Sequence, residues 1–213
     1  MTRLKYCGNR SYEDYLLVQR THATHIGFIF VPSSKRFVEP ITVKAWLDQT
    51  PPRPNLKTVG VFVNPDIDFL SELVETLSLD VLQFHGTESP EFISEVKAFY
   101  PGEIWKVIHH KKDAEAAMNA YEGLVTGFLI DRKVGESWGG TGQAFDWTFI
   151  PGYLREAHRQ GVPCFIAGGV TAENVEDLLK WKPDGIDVAS GIEENEKKSE
   201  QRIQALERKV VQK

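Results

Sequence analysis

Short apolar runs recur along the chain at near-regular spacing. They cover residues 4–7, 25–30, 57–63, 81–85, 104–109, 127–131, 163–168 and 185–190. These eight runs are rich in Val, Ile and Phe, the composition of strands buried on both faces. The segments between them carry helical periodicity. In NVEDLLKW (174–181), Val175, Leu178 and Leu179 fall on one stripe, and in DFLSELVETL (68–77) Phe69, Leu73 and Leu77 do the same. Ser11, Thr42, Asp66, Ser89, Asp146 and Thr171 stand where helix N-caps are expected. Eight strand–helix pairs in 213 residues give about 27 residues per unit, near the ~30 of a βαβ step. With right-handed crossovers, eight near-equal units predict a closed (β/α)8 TIM barrel. An open doubly wound sheet is the alternative that spacing leaves standing. One domain over residues 1–213 is the expectation.

A barrel of this kind carries its active site at the C-terminal ends of the strands. That rule turns the run ends into a list of candidates. They are Cys7-Gly8, the loop VPSSKR, Asn64, His85-Gly86, His109, Asp131, Gly168-Gly169 and Ser190-Gly191. Polar and small residues also end strands for turn geometry alone, so position by itself does not assign chemistry.

Composition narrows the function classes. Apolar residues make up 41% and charged residues 26%, as in an ordered globule. The net charge is -5 with no basic run, which argues against nucleic acid as a partner. No segment approaches a membrane span, and MTRLKYCGNR lacks a signal-peptide core, so the cytoplasm is the expected location. Two cysteines, Cys7 and Cys164, are too few for a disulfide framework, and a zinc site would need histidines as well. The adjacent His109 and His110 are a poor metal site without further ligands. No metal is expected.

Eight motifs then appear in order: KYCG, GFIFVPSSKR, VGVFVN, QFHG, ID followed by GGTGQAFDW, AGGVTAENV and DVASGIE. Together, from residue 4 to about 193, they resemble the phosphoribosylanthranilate isomerase family of tryptophan biosynthesis. Phe84, Ala189, Asn9 and Arg10 depart from the common family pattern, and none of them removes a side chain expected to act. The resemblance implies an Amadori rearrangement without a cofactor, on a small phosphosugar. A general acid protonates the ring oxygen, and a general base removes the C2' proton of the resulting imine. The resemblance assigns the acid to Asp131 and the base to Cys7. It also implies substrate contacts at Arg36, His85 and Gly142, with phosphate contacts at Gly168, Gly169, Ser190 and Gly191. A monomer is expected rather than a homodimer.

The residues support these roles to different degrees. A thiol is a base only as thiolate, and its unperturbed pKa is about 8.5. Lys5 and Cys7, two apart on a strand, point to one face about 6–7 Å apart, so the lysine would favour the anion. Closure brings the last strand beside the first, and pairing of Lys5 with Asp187 would weaken that effect. Without the resemblance, Cys7 reads equally as a small buried hydrophobe. Asp131 follows GFLI, so desolvation can hold it protonated; otherwise it caps the next loop. The loop 132–143 is either a lid or a long connection. The glycine turns after strands 7 and 8 offer N–H groups and a helix start to a phosphate, or serve turn geometry only. Arg36 suits a carboxylate with its planar fork, or is one half of a solvated basic pair. His85 contacts substrate or orders a loop. Asn64, Gln83 and Asp187 are expected to fix geometry, and residues 193–213 to form a charged surface loop and an amphipathic closing helix without chemistry. The analogous isomerase of histidine biosynthesis would place a carboxylate at Cys7. A binding-only phosphosugar protein would not need Cys7 and Asp131 together.

Overall fold

The computed structural model describes residues 2–111, 113–132 and 145–211. The eight strands are β1 (Arg3–Tyr6), β2 (His25–Ile29), β3 (Lys57–Phe62), β4 (Val81–Phe84), β5 (Glu103–His109), β6 (Gly127–Asp131), β7 (Cys164–Ile166) and β8 (Gly185–Val188). All pair in parallel in chain order, and β8 returns to β1. The sheet is therefore a closed barrel, not an open doubly wound sheet. A helix follows each strand: α1 (Tyr12–Gln19), α2 (Pro40–Gln49), α3 (Ile67–Thr76), α4 (Pro90–Phe99), α5 (Ala114–Asn119), α6 (Ile150–Arg159), α7 (Val175–Leu179) and α8 (Glu200–Val210).

Local chemistry sets the helix starts. Ser11, Asp66 and Ser89 cap α1, α3 and α4 through side-chain oxygens that accept N–H groups of the first turn. Asp146 caps a one-turn 3-10 helix, Trp147–Phe149, that leads into α6. Two expected caps are displaced. Thr42 lies inside α2, which begins at Pro40 because proline presets φ and its missing N–H is not needed there. Thr171 closes the turn before α7, with its carbonyl accepting the Val175 N–H at 3.0 Å. The buried stripe of α3 also shifts. Leu70, Leu73 and Leu77 are buried, whereas Phe69 is 40% exposed. Leu70, Leu73 and Leu77 stand at i, i+3 and i+7, a spacing that fits one face as well as the expected one does.

Alternation along the strands divides the apolar interior into two layers. Val59, Val61, Val81, Trp105, Val107, Leu129, Phe165 and Ala167 fill the barrel with Cys7. Residues such as Leu4, Ile26, Phe62 and Ile130 point outward beneath the helices. Lys5 and Cys7 share the inner face, as their spacing requires.

His25 sits in the barrel floor, 3% exposed, between the rings of Trp105 (4.9 Å) and Phe165 (5.3 Å). Burial, then Lys5, Lys57 and Arg3, push its pKa down from 6.5 to about 3. The unfolded chain therefore takes up this proton first, and stability falls as pH drops from 6.5 towards 3. Between pH 6.5 and 5 the expected loss from this group is about 2 kcal/mol. Urea unfolding of wild type and His25→Gln at both pH values checks it. The variant should lack that part of the decline, and equal declines would contradict the assignment.

Candidate active site

The strand ends enclose a cavity of about 500 Å³. Cys7, Arg36, Gln83, His85, Asp131, Gly168, Gly169 and Ser190 all line it. Cys7 follows β1 and Asp131 ends β6, yet both face this one space. Gly142 lies outside the described residues, as does the loop from 133 to 144.

Cys7 is 5% exposed and held at both ends of its peptide unit. Its N–H donates to Val188 O at 2.9 Å, and its carbonyl accepts from Lys198 Nζ at 2.6 Å. Beneath it, the Lys5 ammonium meets Asp187 Oδ1 at 2.9 Å, the pairing expected from barrel closure. Burial works against the Lys5 charge, but Asp187 and Cys7 outweigh it and hold its pKa above the usual lysine value. Burial pushes the Cys7 thiol up; Lys5 opposes that, and Asp187 adds to it. Raised above the ordinary thiol value, Cys7 is mostly a thiol near neutral pH. Cys164 is fully buried, lies outside the cavity, and is pushed up by burial as well.

Asp131 is 4% exposed. Its Oδ1 accepts the Arg132 N–H at 2.7 Å, and its Oδ2 lies 3.3 Å from His85 Nε2. That second approach is a close electrostatic contact without hydrogen-bond alignment. Oδ2 makes no described hydrogen bond and is the oxygen left open to a ligand. His85 thus touches the expected acid at the cavity wall.

Arg36 is buried, not a solvated loop residue. Its Nε and Nη2 donate to the two oxygens of Glu193 at 2.8 and 2.7 Å. Burial opposes the guanidinium charge, but Glu193 outweighs it and keeps Arg36 ionised. Glu193 in turn accepts from Lys198 Nζ at 3.0 Å. These partners come from a hairpin of β9 (Glu193–Glu194) and β10 (Lys197–Lys198). The expected closing helix is present as α8, with Ile203, Leu206 and Val210 buried, but the expectation that the segment before it is a charged surface loop is corrected. Lys197 is exposed and Lys198 buried. The alternation of this two-residue strand was the only signal, and it is too short to read in advance.

Gly168 and Gly169 have φ of 84° and 66°, conformations that exclude most side chains. Their N–H groups donate to no described acceptor. Asn174 braces this turn, donating to Gly169 O at 2.8 Å and accepting the Thr171 N–H at 2.9 Å. Ser190 opens a one-turn 3-10 helix, Ser190–Ile192, across the gap. Gly191 does not line the cavity. A Cβ there would lie 1.9 Å from Val170 O, so glycine is what lets the two loops touch.

The remaining polar residues are scaffold, with one exception. Asn64 Oδ1 accepts the Thr87 N–H at 2.7 Å and ties two strand ends together. Glu88 was not singled out from the sequence. Its buried carboxylate accepts the Asn64 and Gly86 N–H groups and pairs with Lys106 at 3.0 Å. His110 bonds the Tyr153 hydroxyl at 2.8 Å and stacks on Phe145, a structural role, while His109 Nε2 lies 3.2 Å from His85 O. Gln83 is the exception. It is 1% exposed, lines the cavity, and its Oε1 has no hydrogen-bond partner among the described residues. It does not fix its neighbours, and an unpaired buried amide oxygen asks for a polar ligand.

The comparisons agree with this architecture. Residues 4–209 match the family model described as N-(5'phosphoribosyl)anthranilate (PRA) isomerase. The N-(5'-phosphoribosyl)anthranilate isomerase of Geobacillus thermodenitrificans is 46% identical over 212 residues, covering 100% of this chain and 95% of the relative. The crystal structure of phosphoribosyl anthranilate isomerase from Thermus thermophilus superposes with a TM-score of 0.83 at 30% identity, covering 99% of each chain. A phosphoribosyl anthranilate isomerase crystallised with reduced 1-(o-carboxyphenylamino)-1-deoxyribulose 5-phosphate superposes at 0.82 with 27% identity, over 100% of each chain. Among the described residues, no helix is long and apolar enough to cross a membrane. With a closed eightfold barrel, a polar cavity at its strand ends and a family match across nearly the whole length, the chain belongs to the N-(5'-phosphoribosyl)anthranilate isomerase family.

Proposed function

We propose that Cys7 and Asp131 carry the two proton transfers by which this isomerase converts N-(5'-phosphoribosyl)anthranilate into 1-(o-carboxyphenylamino)-1-deoxyribulose 5-phosphate. The observation that carries this reading is that both side chains line one cavity although they stand on separate strands. Asp131 gives the proton on its Oδ2 to the ring oxygen, and the C1'–O bond breaks to leave a protonated imine. The Cys7 thiolate then takes the C2' proton, and the imine nitrogen accepts the electron pair of that C–H bond. The enolamine so formed becomes the ketose by proton shift from O2' to C1'.

Substrate contacts follow from the same wall. The anthranilate carboxylate meets Arg36, whose Nη1 has no described partner. The phosphate takes main-chain N–H groups at Gly168, Gly169 and Ser190, which bind an anion without side-chain charge. The helices nearby have three and five residues, so N–H groups and not a helix dipole supply this attraction. His85 orients the Asp131 carboxyl, and Gln83 pairs with a sugar hydroxyl. Gly191 acts indirectly, by holding the Ser190 turn against the Gly168-Gly169 turn. Gly191→Ala must push those turns apart, and is expected to raise KM about 10-fold or more with a smaller effect on kcat. An unchanged KM for phosphoribosylanthranilate would remove the phosphate from this corner.

Every group in this scheme comes from one chain, which supports a monomer as the working unit, and the cytoplasm is its proposed location. Light scattering of the purified protein checks the first point and fractionation of cells the second. Loss of phosphoribosylanthranilate fluorescence on adding the purified chain tests the reading as a whole. Binding of the reduced product analogue without any turnover would favour a binding-only protein instead.

A further inference from the structure

The Lys198 side chain is the least expected feature near the cavity. It is fully buried, comes from the short β10 strand, and touches three groups of the site. Its Nζ donates to Cys7 O at 2.6 Å, to Glu193 Oε1 at 3.0 Å and to Ala189 O at 3.4 Å. Glu193 passes the connection on, gripping Arg36 by Nε and Nη2. An ammonium without solvent is costly unless its donors are used, and here all three find oxygens. The grip on Arg36 is equally specific. A guanidinium has two edges that can donate bidentately to a carboxylate, and Glu193 takes one of them. Counting Lys198, Glu193 and Arg36, the cluster carries one net positive charge beside Cys7.

We propose that Lys198 and Glu193 are positioning residues for the reaction. Lys198 fixes the peptide that carries the base, and Glu193 turns Arg36 so that only its remaining edge meets the substrate carboxylate. The inference rests on the roles read above for Cys7 and Arg36 and deepens them. It explains why the chain after β8 doubles back beside the cavity before starting α8. It also explains why a carboxylate stands next to an arginine meant for an anion. Glu193 consumes one edge, and the cluster stays cationic because Lys198 balances it. Burial pulls the Lys198 ammonium below its usual value, and Glu193 opposes that shift. The charged groups facing Cys7 are Lys5 on its own strand, Asp187 on β8, Arg36 after β2, and Lys198 with Glu193 on the hairpin.

The experiment uses the full chain carrying Glu193→Gln, Lys198→Met or Lys198→Arg. For each, kcat and KM for phosphoribosylanthranilate are measured, with the pH dependence of Cys7 alkylation by iodoacetamide read by peptide mass. Glu193→Gln should raise KM about 10-fold, with kcat within about threefold, because Arg36 is no longer held. Lys198→Met should lower kcat about 10-fold and move the alkylation midpoint to higher pH, since a nearby cation is gone. Lys198→Arg keeps the charge and should leave that midpoint where wild type has it. Wild-type KM, kcat and alkylation profiles in folded variants would overturn the proposal. So would a lower melting temperature with KM and midpoint unmoved, which would make the cluster structural only. Should Lys198→Met fail to fold, Glu193→Gln decides through KM. Cys7→Ser in the same assay separates the two levels: full turnover there removes the catalytic reading, and this proposal with it.

Discussion

Cys7→Ser is expected to lower kcat/KM by at least about 100-fold while the barrel stays folded. The exchange replaces sulfur by a smaller oxygen in the same place, and leaves the Lys5–Asp187 pair and the peptide contacts to Val188 and Lys198 intact. What it removes is the ability to ionise. A serine hydroxyl has no accessible anion at working pH, whereas the Cys7 thiol, although pushed up by burial, has Lys5 to pull it back. Wild-type kcat/KM should accordingly rise with pH above neutrality as the thiolate fraction grows, and the serine variant should lack that rise. The fluorescence assay from pH 6 to 9 checks both. Turnover within a few-fold of wild type in the variant would show that another group takes the C2' proton.

Asp131→Asn is the second large effect. It is expected to lower kcat by at least about 100-fold with little change in KM. The amide oxygen still accepts the Arg132 N–H, and the amide nitrogen takes the place of Oδ2 beside His85. Shape and the one firm hydrogen bond survive, so folding should not suffer. An amide cannot deliver an acidic proton to the ring oxygen, and the ring then opens only by unassisted cleavage. Near-normal kcat in a folded Asp131→Asn protein would sink the assignment of the acid.

The barrel was legible because its evidence is periodic. Eight apolar runs at even spacing have few other solutions, and the Lys5–Asp187 pair followed from closure plus the two-residue repeat of a strand. The lining of the cavity was legible where residues stand at strand ends, as Cys7, His85, Asp131 and Gly168 do. Other features depended on contacts between distant segments. Glu193 and Lys198 sit in a run of charges that any composition rule assigns to the surface, and only the fold of a two-strand hairpin turns them inward. Glu88 and Lys106 bury each other's charge, so neither looks apolar and neither betrays its place. Phe69 misled because Leu70 satisfies the same spacing, and the larger ring remained outside. Thr42 lost to Pro40 because proline at the first helical position outweighs a threonine two residues later. Gly191 follows Ser190 in sequence, yet packing against Val170 O and not the cavity accounts for it.

The two competing readings make different demands on this geometry. The histidine-pathway isomerase would place a carboxylate where Cys7 stands, and the family match does not point that way. A binding-only protein explains the glycine turns and Arg36 but gives no reason for a thiol and a carboxyl to share a cavity.

The most direct test of the account is a crystal structure of this chain with reduced 1-(o-carboxyphenylamino)-1-deoxyribulose 5-phosphate bound. The account predicts Cys7 Sγ and Asp131 Oδ2 both within about 4 Å of the sugar portion of that one molecule. The phosphate should lie at the Gly168-Gly169 and Ser190 turns, and the carboxylate at Arg36. A ligand seated so that either Cys7 or Asp131 is beyond reach of the sugar would contradict it.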